Sequence, residues 1–567
     1  MMLPETRMAA VASYYLPALV LGAVIGLMLP YASALHFPIG NDAIGYMYDA
    51  ENLLAGQGAV RPIYGVSSPE ADFAPTVYHP PTFGVLIAAL AVLGLDVEQA
   101  AMAISWAALI LLPLAIVFAL RPLLAGPWSL VVAVLSVTSP SIYLYGPSIN
   151  TDVVALVFIL TGAGLVFRGL NQPLRSGPLL LGGLALGVAY AFRNATLAVY
   201  VGYFAALISM AILRQRELRS VIQAGALVLI GSLPVVLPLW LRNYFVFGEY
   251  QPYHVMLGQY GTLLDSFRVF LNDMLWDLTG SRGMARSMAW DVVNLLVVGV
   301  PVAILLCYGL WRRWLASAAT QRFILIFALM FVGAGASMLV IAHTYHGLDP
   351  GNLIRHMMPY TWLIYAVIIW ALVGIHYRYG AMLSGFCAGL VLVGHLTFIG
   401  RDMMTHQEIE AAFTQSDNIL DATTNLEYEN VVLTSHIKRK ITQDPVVTQA
   451  IRELPERALI FANAGPLLAY IGGRPVRALE SAGIERLADM VLELDALSAR
   501  VQGSRPVYVA FVPDNRLIRS PMKNRWQDYI VEHLPGRYQV AHKSNNLLIM
   551  SLDQHPGQVP IEQPSTL

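Results

Sequence analysis

The chain has no lysine until Lys438, and its four lysines (Lys438, Lys440, Lys523 and Lys543) all fall in the C-terminal tail. An anion bound by the rest of the chain must therefore be held by arginine, histidine or backbone amides, and the planar guanidinium suits phosphate best. Cysteine is nearly absent: Cys307 and Cys387 both sit in apolar runs and read as packing residues rather than a disulfide or metal site. A basic excess is lacking too, since the formal net charge is -1, which argues against a nucleic-acid partner. Charge of either sign is scarce, at 13% of residues, about half the share of an ordinary soluble domain.

Hydrophobic sequence takes its place, at 56% of 567 residues with mean hydropathy +0.58, as expected of a polytopic membrane protein. The charges are unevenly placed: 37 of the 71 Asp, Glu, Lys and Arg residues lie in Arg401–Leu567. This predicts a membrane domain over 1–401 and a soluble α/β domain over 402–553. Residues 554–567, rich in Pro and Gln, are expected to be disordered.

Apolar runs of about 20 residues, enough to span a bilayer, occur near 11–31, 99–120, 127–147, 153–168, 220–241, 290–311, 322–342, 358–376 and 381–400. The stretch 178–213 is long enough for two, divided at Arg193-Asn194, because a buried arginine is costly and a turn near an aqueous face is expected there. Eleven spans result. Met1–Arg7 carries one arginine and the run after it lacks a small-residue cleavage site, which reads as a signal anchor. Pro81–Gly94 is too short to cross and is expected to be interfacial or re-entrant.

If that piece does not cross and the N-terminus is inside, Arg121, Arg168, Arg175, Arg214, Arg216, Arg219, Arg312, Arg313, Arg322 and Arg378 all fall inside. Crossing from the same start turns every one of them outward. Starting outside with a crossing piece keeps them inside, opposed only by Arg7, but moves Asp42 to the face opposite the other large loops. The first arrangement is preferred, and it gives the outer face the segments 32–80, 242–289, 343–357 and the tail. In that tail, Ala458–Ala462, Val507–Val512 and Leu547–Leu552 read as strands and Glu485–Arg500 and Lys523–His533 as helices, with Asn545-Asn546 a hairpin turn.

Within the first long loop, Asp42 either caps a helix beginning at Ala43 or serves as a functional acid. Ile44, Met47, Tyr48 and Leu54 form an apolar stripe fit for lying on a membrane, with Asp49 and Glu51 on its solvated side. Tyr250, Tyr253, Tyr260 and Trp276 could stack on sugars or anchor at the interface. His343, Tyr345, His346 and Asp349 are metal-ligand types without ligand spacing, so no metal site and no cofactor is assigned.

Several motifs together carry a family resemblance. They are Gly40-Asn41-Asp42 with Tyr46 and Glu51-Asn52-Leu53-Leu54-Ala55-Gly56, His79-Pro80-Pro81 before an apolar half-helix, and Asn150-Thr151-Asp152 opening a span. Leu241-Arg242-Asn243-Tyr244 with Phe247-Gly248 ends a span, and Arg355 with Pro359 precedes another. In this order they resemble the GT-C glycosyltransferases, which include the protein O-mannosyltransferases and the lipid A aminoarabinose transferases. The implied fold is an α-helical polytopic membrane domain, with about 11 transmembrane helices plus juxtamembrane half-helices, followed by a small α/β soluble domain.

The implied activity is inverting transfer of a sugar from a polyprenyl-phosphate donor to a lipid, glycan or protein acceptor, at the outer face of a bacterial cytoplasmic membrane. Asp42 would be the general base. Many relatives have a paired Asp-Glu where this chain has Asp42-Ala43, so a second carboxylate is sought elsewhere, and Asp152 is the candidate, against its reading as a helix cap in interfacial water. Arg242, Arg355 and Arg193 would hold the donor phosphate, or else snorkel at the interface. His79 would bind phosphate or orient Asp42, or pack within its loop. Rival readings are a lipid-linked sugar flippase or transporter and an O-antigen-type ligase or polymerase; neither calls for the Asp42 loop order.

Overall fold

The computed structural model describes residues 4–35, 39–62, 72–76, 79–124, 126–171, 173–252, 262–346, 353–375, 377–416, 418–420, 430–478, 505–513, 525–533 and 538–552. Two compact units emerge: Met1–Pro38 with Thr76–Met403, and Ile39–Pro75 with Met404–Leu567. The second unit thus takes in Ile39–Pro75 as well as the chain from Met404 on.

Elements are numbered along the whole chain. The first unit holds helices α1 (Pro4–Leu35), α3 (Thr82–Val92), α4 (Val97–Leu120), α5 (Trp128–Val137), α6 (Pro140–Tyr145), α7 (Thr151–Gly169), α8 (Ser176–Phe192), α9 (Leu197–Ile212) and α10 (Leu218–Phe247). It continues with α11 (Leu263–Thr279), α12 (Arg282–Trp290), α13 (Val292–Asn294), α14 (Val300–Ala316), α15 (Ala319–His346) and α16 (Met358–Ile375). The long α17 (Tyr377–Gln415) runs on into the second unit.

Among the described residues, nine helices are long and apolar enough to cross a membrane. The other two expected spans are also helical. α8 has 17 residues. The expected span 127–147 is broken into α5 and α6, because Pro140 lacks an N–H and pushes Ser139 into an extended conformation. α3 has 11 residues, about 16 Å of helix against a hydrocarbon core of about 30 Å. Ile222, Leu229 and Ile230 of α10 remain exposed, as suits faces turned to hydrocarbon. Where α8 meets α10, a Cβ at Gly183 would collide with the Val228 carbonyl and one at Gly231 with that of Leu180, so glycine permits this close approach.

The second unit contains α2 (Asn41–Leu54), the antiparallel pair β1 (Val60–Pro62) and β2 (Phe73–Pro75), α18 (Asn430–Gln443), α19 (Pro445–Arg452), β3 (Leu459–Ala462), α20 (Gly465–Gly472), β4 (Arg477–Ala478), β5 (Val507–Phe511), α21 (Trp526–His533), β6 (Tyr538–Ser544) and β7 (Leu547–Leu552). Its sheet runs β4-β3-β5-β7-β6, with β3 parallel to β4 and β5, and β7 antiparallel to β5 and β6. β6 and β7 are joined at Asn545-Asn546 with Ser544 opposite Leu547, the expected two-residue hairpin. The expected helix Glu485–Arg500 and tail 554–567 lie outside the described residues.

α2 corrects one expectation. Ala43 through Ala50 are buried, Asp49 included, so this helix is not a membrane-surface helix with both acids solvated; only Glu51 is exposed. α2 packs against α20, Tyr48 Oη donates to the Arg474 carbonyl (3.3 Å), and Asp72 pairs with Arg505 (2.8 Å). The loop and the tail, distant in sequence, therefore form one folded body.

Candidate functional site

Asn150 sets the geometry of the main candidate site. It is extended at the N-cap of α7, and its Oδ1 accepts from the amides of Asp152 (2.9 Å) and Val153 (3.4 Å). Its Nδ2 donates back to the carbonyls of Tyr145 and Ser148 (2.5 and 3.1 Å). The capping role weighed for Asp152 belongs to Asn150. Nor does Asp152 stand in interfacial water, because it is 2% exposed.

The carboxylate of Asp152 instead takes two arginines. One oxygen pairs with Arg193 Nη1, and the other accepts from Arg355 Nε at 2.5 Å. Arg193 is delivered by the turn expected between two spans: α8 stops at Phe192, Arg193 is extended, and a 3-10 turn over Asn194–Thr196 leads into α9. Arg355 comes from a second 3-10 turn, Ile354–Met357, that leads into α16. Both guanidiniums keep some solvent access, at 16% and 17%.

Sequence reading did not pick out His356 for this site. Arg193 Nη2 donates to its Nδ1 at 2.5 Å. A guanidinium cannot accept a hydrogen bond, so Nδ1 is the acceptor and the ring is in its neutral Nε2–H form. Adjacency to Arg355 was the available signal. Tyr360, one helical turn on, packs at a tilt against Phe331 with centroids 4.9 Å apart. A Cβ at Gly335 of α15 would overlap its ring.

Asp152, Arg193, His356 and Tyr360 line one part of a partly open cleft. The rest is chiefly apolar: Ala155 and Ile159 of α7, Val199 of α9, and Phe331, Met338 and Leu339 of α15. The cleft thus offers a cationic head and a greasy wall.

Asp277 of α11 supports this arrangement. Fully buried, it accepts from the Ser141 amide (2.7 Å) and Thr361 Oγ1 (2.5 Å), and Tyr365 Oη donates to its backbone carbonyl (3.2 Å). It thereby ties α6, which leads to Asn150 and Asp152, to α16, which follows Arg355 and His356. Burial pushes its carboxyl up to about 6, against the pull of the Thr361 and Ser141 hydrogen bonds.

The remaining candidates are not partners of Asp152. Arg242 donates to Asn243 Oδ1 (3.0 Å) and the Thr76 carbonyl (3.4 Å) and lies 5.4 Å from the Phe247 ring centroid. His79 is half-buried ahead of α3. Asp42 belongs to the second unit. It is not the cap of α2, because Gly40 holds the N-cap and Asp42 sits in the first turn, where a negative charge suits the helix dipole. It attracts Lys438 of α18, whose ammonium pKa is pushed down by burial and drawn back up by Asp42.

Also in the second unit, Asp49 is tied to Arg61, whose Nε and Nη2 donate to one carboxylate oxygen (3.0 and 2.6 Å). Of the metal-ligand types, His343 hydrogen-bonds Ser266 Oγ (2.8 Å), Tyr345 is exposed, and Asp349 lies outside the described residues. Among the described residues, no three His, Cys, Asp or Glu side chains group as metal ligands. Tyr253 and Tyr260 also lie outside the described residues, whereas Trp276 is buried under the Arg282 guanidinium.

No protein-family profile matches the sequence, and no curated protein is significantly similar to it. Solved structures do match. ArnT from Cupriavidus metallidurans bound to undecaprenyl phosphate is 11% identical with a TM-score of 0.52, over 96% of this chain and 99% of that one. The Archaeoglobus fulgidus oligosaccharyltransferase in complex with zinc and sulfate is 12% identical with a TM-score of 0.54, over 92% and 71%. The archaeal oligosaccharyltransferase AglB from Archaeoglobus fulgidus, in complex with an inhibitory peptide and a dolichol-phosphate, is 12% identical with a TM-score of 0.53, over 88% and 69%. Both kinds of protein have the GT-C fold, and at these identities the likeness shows that polytopic helical fold for this chain.

Proposed function

We propose that the protein is an inverting membrane glycosyltransferase that moves a sugar from a polyprenyl-phosphate donor to an acceptor at the outer face of a bacterial cytoplasmic membrane. The observation that carries this reading is the cleft with Arg193 at its head, on an Asp152 carboxylate that also binds Arg355, and with aliphatic and aromatic walls behind it. That combination suits a phosphate on an apolar chain. The undecaprenyl phosphate on ArnT and the dolichol-phosphate on AglB support the same carrier chemistry.

In the reaction, Asp42 takes the proton of the acceptor group as its heteroatom attacks the anomeric carbon. The bond from that carbon to the phosphate oxygen breaks, and the electron pair leaves on polyprenyl phosphate. The leaving group gains negative charge, which Arg193 and Arg355 stabilise, joined by Arg242 and His79. Lipid, glycan and protein acceptors all fit this step.

The fold of the second unit supports the sidedness. Because Ile39–Pro75 and the tail fold together, they share one side of the membrane. Ten spans follow the loop when Pro81–Gly94 does not cross, an even number that returns the chain to that side. Both crossing arrangements separate loop from tail. Domain limits of 1–401, 402–553 and 554–567 remain our proposal, with Ile39–Pro75 folding against the second domain.

The test is transfer by the full chain in membranes. Asp42→Asn inserts, folds and binds a polyprenyl-phosphate sugar as the wild type does, but loses about 10²- to 10⁴-fold in turnover. Retained turnover would sink the assignment of the base. Donor binding with no transfer by the wild type to any acceptor would favour a flippase.

A further inference from the structure

We propose that Gly335 of α15 and Tyr360 of α16 form a seat that sets the width of the cleft, and that this width selects a methyl-branched isoprenoid chain over a straight alkyl chain. This rests on the donor reading above, in which the carrier's apolar chain lies along the cleft wall.

Tyr360 lines the cleft and is otherwise buried, at 5% exposed. Its ring lies against α15 at a point where that helix has no side chain: a Cβ at Gly335 would overlap Cε1, Cζ and Oη of the tyrosine. Glycine inside a helix is destabilising relative to alanine, so a packing reason is expected for it. By contrast, a Cβ at Gly333, two residues earlier on the same helix, would stand in open space. At 335 the missing side chain is what lets the ring approach.

Phe331, one turn before Gly335, backs the seat. Its ring packs at 54° to that of Tyr360 and stacks on Phe327 with centroids 5.6 Å apart. α9 closes on it as well, since a Cβ at Gly202 would come within 2.7 Å of Phe331 Cβ. With α15 behind the Tyr360 ring and a wedged Phe331 beside it, the open space that the ring borders is the cleft. A side chain at 335 would displace the ring toward that space by about a bond length before ordinary contact was restored. A methyl branch stands out from a carbon chain by the same amount, about 1.5 Å. Seating the ring therefore leaves room for a branch, and unseating it takes that room away. A straight chain in the wider space leaves voids beside the walls and forfeits dispersion contacts.

The test measures binding of two probes to the full-length protein in detergent. Hexahydrofarnesyl phosphate and dodecyl phosphate share a headgroup and a main-chain length and differ in methyl branches alone. The wild type holds the branched probe about tenfold more tightly, the scale on which a fitted apolar pocket reads small groups. Gly335→Ala brings the ratio near unity through loss of the branched probe, with dodecyl phosphate held as before. Tyr360→Phe keeps the ratio, because it keeps the ring. In Tyr360→Leu the ratio falls, and adding Gly335→Ala changes nothing further, since the ring that a Cβ would displace is gone.

A wild-type ratio near unity, or one that Gly335→Ala leaves unmoved, overturns the proposal, while the donor reading stands because both lipids bind. Should the Ala variant not fold, a wild-type ratio retained in Tyr360→Leu overturns it instead. Loss of the ratio in Tyr360→Phe moves selection from the ring to its hydroxyl and also overturns it. Failure of both probes to bind the wild type removes the donor reading and this proposal together.

Discussion

Two buried acids in this chain meet arginine in different ways. Asp49 pairs with Arg61, and the guanidinium fills the space beside Gly45 and lies 5.1 Å from the Tyr46 ring centroid. Asp152 meets Arg193 and Arg355 together, and with Arg193 it lines a cleft. A pair packed inside one folded unit serves the architecture of its helix, whereas ion-paired groups that line a cleft mark a candidate functional site.

Arginine removal separates the two most sharply. Arg355→Ala lowers transfer by about 100-fold or more and weakens the lipid donor. Arg61→Ala lowers the unfolding free energy by about 3–5 kcal/mol, because it takes the guanidinium from a buried carboxylate, but leaves the affinity for donor unchanged. Donor binding in detergent and thermal unfolding distinguish these outcomes, and equal loss of donor affinity in both variants would break the comparison.

Asp277 gives the next largest effect. A free Asp titrates near 3.9, and in the fold this carboxyl is pushed up to about 6. Its protonated form is therefore the one the fold favours. The associated stability is complete below about pH 4 and is lost as pH rises through 6, a difference of about 3 kcal/mol. Unfolding of the wild type minus that of Asp277→Asn, measured at pH 4 and pH 7, shows this change if burial governs the group; a flat difference refutes it. The smallest effect belongs to the cap: Asn150→Ala costs about 1 kcal/mol and loosens Asp152, read as a small drop in unfolding midpoint with a larger loss of donor affinity.

Much of the architecture was legible in the sequence, because hydrophobic run length and turn chemistry are local. All eleven expected spans are helical, the turn at Arg193-Asn194 lies where burial cost puts it, and the strands ending at Ala462 and Leu552 match theirs to within a residue. The break at Ser139-Pro140 was readable in principle, since the residue before a proline leaves the helical region.

Side-chain partners were not legible. Asp152 and Arg355 are 203 positions apart, and periodicity says which face a residue occupies but not which distant residue meets it. The apolar stripe of α2 was seen correctly but assigned to a membrane surface, because an amphipathic helix looks the same whether lipid or protein covers it. Its true cover is the tail fold.

That cover has a consequence in time. Tyr48 reaches a carbonyl 426 residues further along the chain. At about 5–20 residues per second, synthesis separates the two by roughly 20 to 85 seconds. The helix bearing Asp42 is made early but has no finished seat until the end of the chain has been made and carried to the same side of the membrane. Under the proposed function, a truncated or half-delivered protein would then hold the Asp152 cleft while Asp42 still lacks its folded surroundings, unable to act on a passing acceptor before assembly is complete.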